Sequence, residues 1–456
     1  MSSFITRIVQ RVGVDKAIAY SSGARIVQSL CGLCIIFFIS KFLSGEEQGF
    51  YFTFGSIAAL QIFFELGLTS IITQYVAHEA AHLKIINNEC EGDDLYKSRL
   101  ASLLKFCVKW YSVISLAAFL FLLIVGFVFF SYFYTNKESA VDWKGPWVLL
   151  SFATALQLFQ SPFNSILTGL GKVKEMNKIL FYQQGLVFLT TCIGFISGLK
   201  LYIIGLGVVC SVILWFIYIV HCGLFSLLRR INKIKIAESV SYFKEIFPFQ
   251  WRIALSWLSG YFIFQIFNPV LFAVEGAVVA GKMGMTLQAL SVIQVIAMGW
   301  QNTKIPLYSA LISLKDYTKL DKVFKTTVFQ MTPISLLLTI LLFGFIGILR
   351  YTGIELNGEF VSNRFLDFQP MLFLALAFFA NIYVFSWATY LRCHKKEPFL
   401  VLSVVWGALS CISTVILGKL YGVYGVTIGY MVLTVALSLP WSFYIFKTKQ
   451  REWHGN

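Results

Sequence analysis

The sequence predicts an all-α polytopic membrane protein of about twelve transmembrane helices, arranged as two pseudo-symmetric six-helix bundles. Three observations carry that expectation. Hydrophobic residues make up 58% of the 456-residue chain and charged residues only 13%, against about 25% in an ordinary soluble domain. Apolar runs long enough to cross a hydrocarbon core of about 30 Å recur along the whole chain. Basic residues gather between alternate runs. A chain with 45 Phe and 11 Trp cannot stay solvated as a disordered polymer. The net charge of +15 would suggest nucleic acid in a soluble protein. Here the basic residues are scattered between apolar runs, so no nucleic-acid partner is expected.

Residues 1–17 place Phe4, Ile5, Ile8, Val9 and Val12 at helical spacing, with Arg7, Gln10 and Arg11 between them. That pattern predicts a short amphipathic helix lying on the anionic phospholipids of the cytoplasmic face. No signal-peptide cleavage site follows a short apolar core. The first lobe, 18–227, holds spans near 18–42, 48–75, 106–133, 146–169, 178–198 and 201–227. A basic linker, 228–247, follows. The second lobe, 248–446, holds spans near 248–274, 279–303, 327–350, 366–391, 398–418 and 421–446, and 447–456 is a basic tail. Pro162, Pro269, Pro333, Pro370 and Pro440 fall inside or near span ends, where they mark kinks.

Charge fixes the expected orientation. Segments placed in the cytoplasm carry 27 Lys and Arg against 13 acids, and the outer segments carry 8 against 8. This predicts cytoplasmic N- and C-termini in a plasma membrane. The outer loops are too short for a catalytic domain, the longest being about 351–365. The inner loops are too short for a nucleotide-binding domain. Gly169-Leu170-Gly171-Lys172 lacks the spacing and the preceding strand of a phosphate loop. The nine cysteines lie mostly in apolar runs, and Cys31 and Cys34 have no second pair to complete a zinc site. No cofactor or metal is expected, and His78, His82, His221, His394 and His454 have no ligand spacing.

Weak internal similarity supports duplication. Arg25-Ile26 with Ser29 recurs as Arg252-Ile253 with Ser256, Gln61-Ile62 as Gln294-Val295, Lys174-Glu175 as Lys396-Glu397, and Leu201-Tyr202 as Leu420-Tyr421. The matches keep their order at nearly one offset. An even number of spans per repeat gives both halves one orientation, with a site between them near the midplane.

Three ionisable residues lie well inside spans: Arg25, Glu65 and Arg252. Each costs about 2.5–3.5 kcal/mol at the bilayer centre, so each faces a cavity or a partner. In one arrangement the arginines pair with Glu65 to fasten helices, or snorkel to the interface. In the other they project into a central cavity and bind an anionic group, for which the planar guanidinium fork suits phosphate. Glu65 is then a coupling or gating residue, with coupling to H⁺ or Na⁺ left open. Polar cavity candidates are Gln28, Gln61, Gln160, Asn164, Gln265, Asn268 and Gln294. Amides in lipid also serve as interhelical glue, and the same reading applies to Gln183, Gln301 and Asn381.

Phe64-Glu65-Leu66-Gly67-Leu68-Thr69-Ser70, leading to Gln74-Tyr75-Val76-Ala77-His78-Glu79, resembles the O-antigen and polysaccharide-repeat flippases. So does Gln250-Trp251-Arg252-Ile253-Ala254-Leu255-Ser256-Trp257 with Gly260-Tyr261-Phe262. Twelve spans, duplicated halves and an arginine in spans 1 and 7 are similar to the wider superfamily of multidrug, oligosaccharidyl-lipid and polysaccharide (MOP, MATE-like) exporters. The resemblance covers essentially the whole chain. It implies a two-lobed bundle with alternating access, in a bacterial inner membrane. It implies turnover of an undecaprenyl-diphosphate-linked oligosaccharide from the cytoplasmic to the outer face, with Arg25 and Arg252 on the diphosphate. Polysaccharide polymerase and chain-length regulator would be its protein partners. A MATE-like antiporter exporting a drug or metabolite is the alternative reading. A membrane polysaccharide polymerase or glycosyltransferase is disfavoured, because the largest outer loop offers only Glu355, Glu359, Arg364 and Asp367.

Overall fold

The computed structural model describes residues 31–86, 89–134, 141–237, 240, 242, 246–356, 358–394 and 396–454. Arg252 is described in its backbone alone. The predicted N-terminal helix, Arg25 and Gln28 lie outside the described residues.

Among the described residues the chain is almost entirely helical. Eight helices are long and apolar enough to cross a membrane, or nine when a bent pair is counted as one span. The helices are α1 (Cys31–Phe42), α2 (Gly45–Ala58), α3 (Ile62–Glu65) and α4 (Leu68–Ala80). An antiparallel hairpin of β1 (Leu83–Ile86) and β2 (Glu89–Gly92) follows. Then come α5 (Asp94–Phe133), α6 (Lys144–Gly169), α7 (Val173–Ile196), α8 (Tyr202–His221) and α9 (Leu224–Lys233). After these lie α10 (Phe247–Phe264), α11 (Phe267–Glu275), α12 (Ala277–Asn302), α13 (Ile305–Ser313) and α14 (Tyr317–Thr352). A second small hairpin, β3 (Glu355–Leu356) and β4 (Glu359–Phe360), precedes α15 (Phe368–Arg392), α16 (Leu400–Val432) and α17 (Leu439–His454).

Where helices break, local chemistry gives the reason. The span expected at 48–75 is bent by 43° between Gly45–Glu65 and Leu68–Ala80. Leu66 and Gly67 are both left-handed there, with φ of 49° and 67°, and a left-handed residue cannot continue the helical ladder. The spans expected at 398–418 and 421–446 form one apolar stretch, Leu400–His454, broken at Gly422 (φ 56°, ψ −138°). A π-helical turn at Leu433–Ser438 comes just before Pro440. Proline has no N–H to give the preceding turn, and a widened turn accommodates the missing bond.

The helices gather into two compact units, described separately. One contains residues 60–129 and 142–257. Its apolar centre includes Leu68, Ile72, Val76, Leu104, Leu158 and Trp215, all buried. Burying such side chains stabilises a helix against its neighbours by about 1.5–3 kcal/mol each in water. Inside a bilayer, tight packing replaces that driving force. The second unit contains residues 31–59, 130–134 and 258–454. Segment 31–59, which the sequence assigns to the first six-span lobe, packs here against α12. Glycine makes this possible: a Cβ on Gly49 would lie 1.9 Å from the carbonyl oxygen of Ala277, so the two backbones touch directly. On α14 the outward residues Phe329, Leu337, Ile340, Leu341, Phe345 and Ile348 are exposed and apolar, a surface suited to lipid tails.

Candidate functional site

The site in the first unit is built around the break after α3. Glu65 is the last residue of α3 and accepts a short hydrogen bond from the Thr69 hydroxyl across the break. The left-handed Leu66–Gly67 pair turns the chain so that this carboxylate and α4 share one corner. Gly67 faces α10: a Cβ there would meet the Ile253 Cγ2 at 2.5 Å, with Trp257 at 3.7 Å. The helical backbone that carries Arg252 therefore runs directly against the break that carries Glu65. The ring of Tyr111 on α5 is fully buried and lies within electrostatic range of Glu65.

The amides differ in how fully they are bonded. Asn164 accepts a 2.6 Å hydrogen bond from the Trp215 indole. Gln183 donates to the Ser211 carbonyl and hydroxyl at 3.0 and 2.9 Å. In the second unit Asn268 donates to Ser56 at 3.2 Å, Gln301 to the Ser386 carbonyl at 2.8 Å, and Asn381 to Tyr430 at 2.8 Å. These bonds join one helix to another. Gln61 Oε1, Gln160 Oε1 and Gln294 Nε2 are buried with no hydrogen-bond partner among the described residues, and so are Asn268 Oδ1, Gln301 Oε1 and Asn381 Oδ1, although the amide nitrogens of these last three are bonded. An unmatched buried amide atom costs about 1–3 kcal/mol, so each of these atoms is one that a polar ligand or water would satisfy. Gln265 is half-buried in the break between α10 and α11. Trp251, Trp257 and Trp300 expose more than a third of their surface, whereas Tyr261 is buried.

Asn164 offers a direct check on this difference. Asn164→Leu leaves the Trp215 indole N–H unpaired and should lower stability by about 1 kcal/mol. Transport per folded molecule should stay unchanged, as read by thermal unfolding beside a transport assay normalised to folded protein.

No family model matches the sequence, and no curated protein matches it significantly. Solved structures do match over nearly the full length. An inward-facing multidrug-resistance MATE family transporter of the MOP superfamily aligns with 94% of this chain and 99% of its own, at 13% identity and TM-score 0.65. An outward-facing structure of a multidrug-resistance MATE family transporter aligns with 97% and 98%, at 14% identity and TM-score 0.58. A MOP superfamily transporter from Pyrococcus furiosus Vc1, whose reversed pocket polarity suggests a different function, aligns with 96% and 98% at 15% identity and TM-score 0.54. The chain has the MATE/MOP transporter fold.

Within that MATE/MOP fold two features escape sequence reasoning. Tyr111 lies in a predicted span, two residues after Lys109, and gives no signal of its proximity to Glu65. The second is the pair formed by Glu79, whose side chain is 4% exposed, and Arg99, whose Nε lies 3.0 Å from the Glu79 Oε1. It ties the end of α4 to the first turns of α5. The sequence spacing of 20 residues across a loop hides this contact.

Proposed function

We propose that the chain is a bacterial inner-membrane flippase. It turns an undecaprenyl-diphosphate-linked oligosaccharide, an O-antigen or capsular repeat unit, from the cytoplasmic to the outer face by alternating access. The observation that carries this reading is the placement of Glu65, the one acid well inside the predicted spans, at a helix break abutting the helix that bears Arg252. With Arg25 in the equivalent position of the other repeat, the intramembrane charge is +1. That sign favours a diphosphate over an organic cation, for which a cavity would need acids. Gln61, Gln160 and Gln294 have spare amide atoms to pass sugar hydroxyls. The Pyrococcus neighbour offers a parallel, because there too the polarity of the pocket is what suggests a different function.

In this reading lobes 18–227 and 248–446 are the rocking halves, joined by linker 228–247. Both termini and the basic helix 1–17 lie on the cytoplasmic leaflet, against anionic phospholipids. Polysaccharide polymerase and chain-length regulator take over the product at the outer face. Glu65 couples transport to an ion gradient or gates the cavity.

The first experiment is complementation. Expression of the wild-type chain in cells lacking their own flippase should restore surface polymer. Drug resistance without surface polymer would favour the antiporter reading instead. Glu65→Gln then separates the two roles of that residue. A coupling role predicts flipping that no longer responds to a collapsed proton or sodium gradient. An intact gradient response with a lower rate assigns Glu65 to gating.

A further inference from the structure

We propose that Arg364 is the bolt of an outer gate, holding the corner between α1 and α2 against the loop between α14 and α15. The two elements come from opposite repeats of the predicted layout, yet in one compact unit they are joined by three hydrogen bonds, and an ion pair within the loop braces them. Arg364 Nη2 donates to the Leu43 carbonyl at 2.7 Å. Gln48 Nε2 donates back to the Arg364 carbonyl at 2.9 Å. The Gly45 amide donates to Glu359 Oε1 at 3.1 Å, and Glu359 Oε2 lies 3.3 Å from Arg364 Nε. The loop is anchored in turn on α12, where the Leu366 amide donates to the Thr286 hydroxyl at 3.0 Å.

The local chemistry builds this lock from ordinary parts. Ser44 and Glu47 form a reciprocal capping box at the start of α2. Glu359 adds a second carboxylate to the same helix N-terminus, arriving from a residue more than 300 positions away. Gly45 leaves room for it: a Cβ there would stand 3.2 Å from Glu359 Oε2. The Arg364 side chain is 1% exposed. Burial pushes its guanidinium pKa down, and Glu359 and Glu47 hold it up.

A fully buried arginine is a poor way to gain stability, because desolvating it costs several kcal/mol. It is a good way to make a reversible seal, since every group in it can be rehydrated when the mouth opens. An apolar plug would resist that step. In the proposed alternating-access cycle these contacts break once per turnover and release the outer mouth.

The inference rests on the alternating-access reading, and its first test needs no substrate. Thr53 on α2 is fully buried and lies outside the lock. In an otherwise cysteine-free chain, Thr53→Cys reports opening through its labelling rate with a membrane-impermeant maleimide applied from the outer face. With the lock intact, labelling is slow. Arg364→Ala should accelerate it at least tenfold, and the milder Glu359→Gln should do so by a smaller factor. Thermal unfolding of each variant checks that the protein is folded. Unchanged labelling in both folded variants would overturn the proposal. As a second measurement, Gly45→Cys with Glu359→Cys, bridged by a bis-methanethiosulfonate reagent that forms a mixed disulfide at each cysteine, should stop transport until a thiol reductant cleaves the bridge. Full transport by the bridged protein would also overturn it. Either labelling result leaves the identity of the substrate untouched, so a failed gate and a failed flippase reading are told apart.

Discussion

Replacing Arg25 and Arg252 together with alanine should abolish surface polysaccharide in cells that depend on this chain for export. In the proposed clamp each guanidinium makes a bidentate, charge-assisted contact to a phosphate, and a hydrogen bond to a charged group contributes about 1.5–3 kcal/mol. Losing one such contact at each arginine removes about 3 kcal/mol at the low end. That is roughly a hundredfold in transport efficiency. The single variants should fall between, each near tenfold. Arg→Lys at either position keeps the charge and loses the fork, so lysine variants should recover part of the activity. The measurement is surface polymer per unit of expressed protein. A double alanine variant with full surface polymer would remove the diphosphate clamp.

The largest effect on stability is expected at Gly49. Its α-carbon stands against the Ala277 carbonyl, and any side chain would have to push α2 away from α12. Gly281 on α12 faces the same seam, with a built Cβ 2.8 Å from the Gly49 amide nitrogen. The obstacle on both sides is backbone, which cannot swing aside. Overpacking of this kind costs about 1–3 kcal/mol, and more when backbone must move. Gly49→Leu should therefore yield little folded protein on detergent size-exclusion chromatography, with a clear drop in thermal midpoint. Gly55 on the same helix is the control. No atom lies within 4 Å of a Cβ at that position, so Gly55→Ala should be neutral or gain about 0.5–1 kcal/mol. Equal behaviour of the two variants would refute the close-contact account of this seam.

Several helices lie where the apolar runs of the sequence place them. The runs at 178–198, 279–303 and 366–391 correspond to α7, α12 and α15 within a few residues. Helix ends are less legible. The run at 106–133 becomes α5 from Asp94 onward, because the polar first turns continue the helix without being apolar. Breaks are least legible of all. Phe64 to Ser70 falls in the middle of one predicted span, and nothing in its hydropathy reports that Leu66 joins Gly67 in the left-handed region. That break gives Glu65 its position, so its place at a corner comes from backbone dihedrals. The residue itself stood out because a carboxylate in a span is expensive. Tyr111 did not, because a buried tyrosine in an apolar helix is ordinary. Arg364 was visible only as an outer-loop cation. Its role depends on contact with residues 43–48, more than 300 positions away, and a single sequence does not encode such a pairing in any local pattern.

The amides serve scaffold and site together. Asn164, Gln183, Asn268, Gln301 and Asn381 each bond to another helix. Asn268, Gln301 and Asn381 nevertheless keep a buried carbonyl oxygen without a partner, as Gln61 and Gln160 do. That is a property of packing, and it becomes readable once the helices are in place.

The most direct test of the central claim is reconstitution. The purified chain is inserted into liposomes carrying a fluorescent undecaprenyl-diphosphate oligosaccharide, and the fraction of headgroups on each leaflet is followed with time. The account predicts protein-dependent equilibration or accumulation across the bilayer, slowed roughly a hundredfold by the Arg25→Ala, Arg252→Ala double variant. No change in leaflet distribution, together with uptake of a soluble organic cation by the same vesicles, would contradict it.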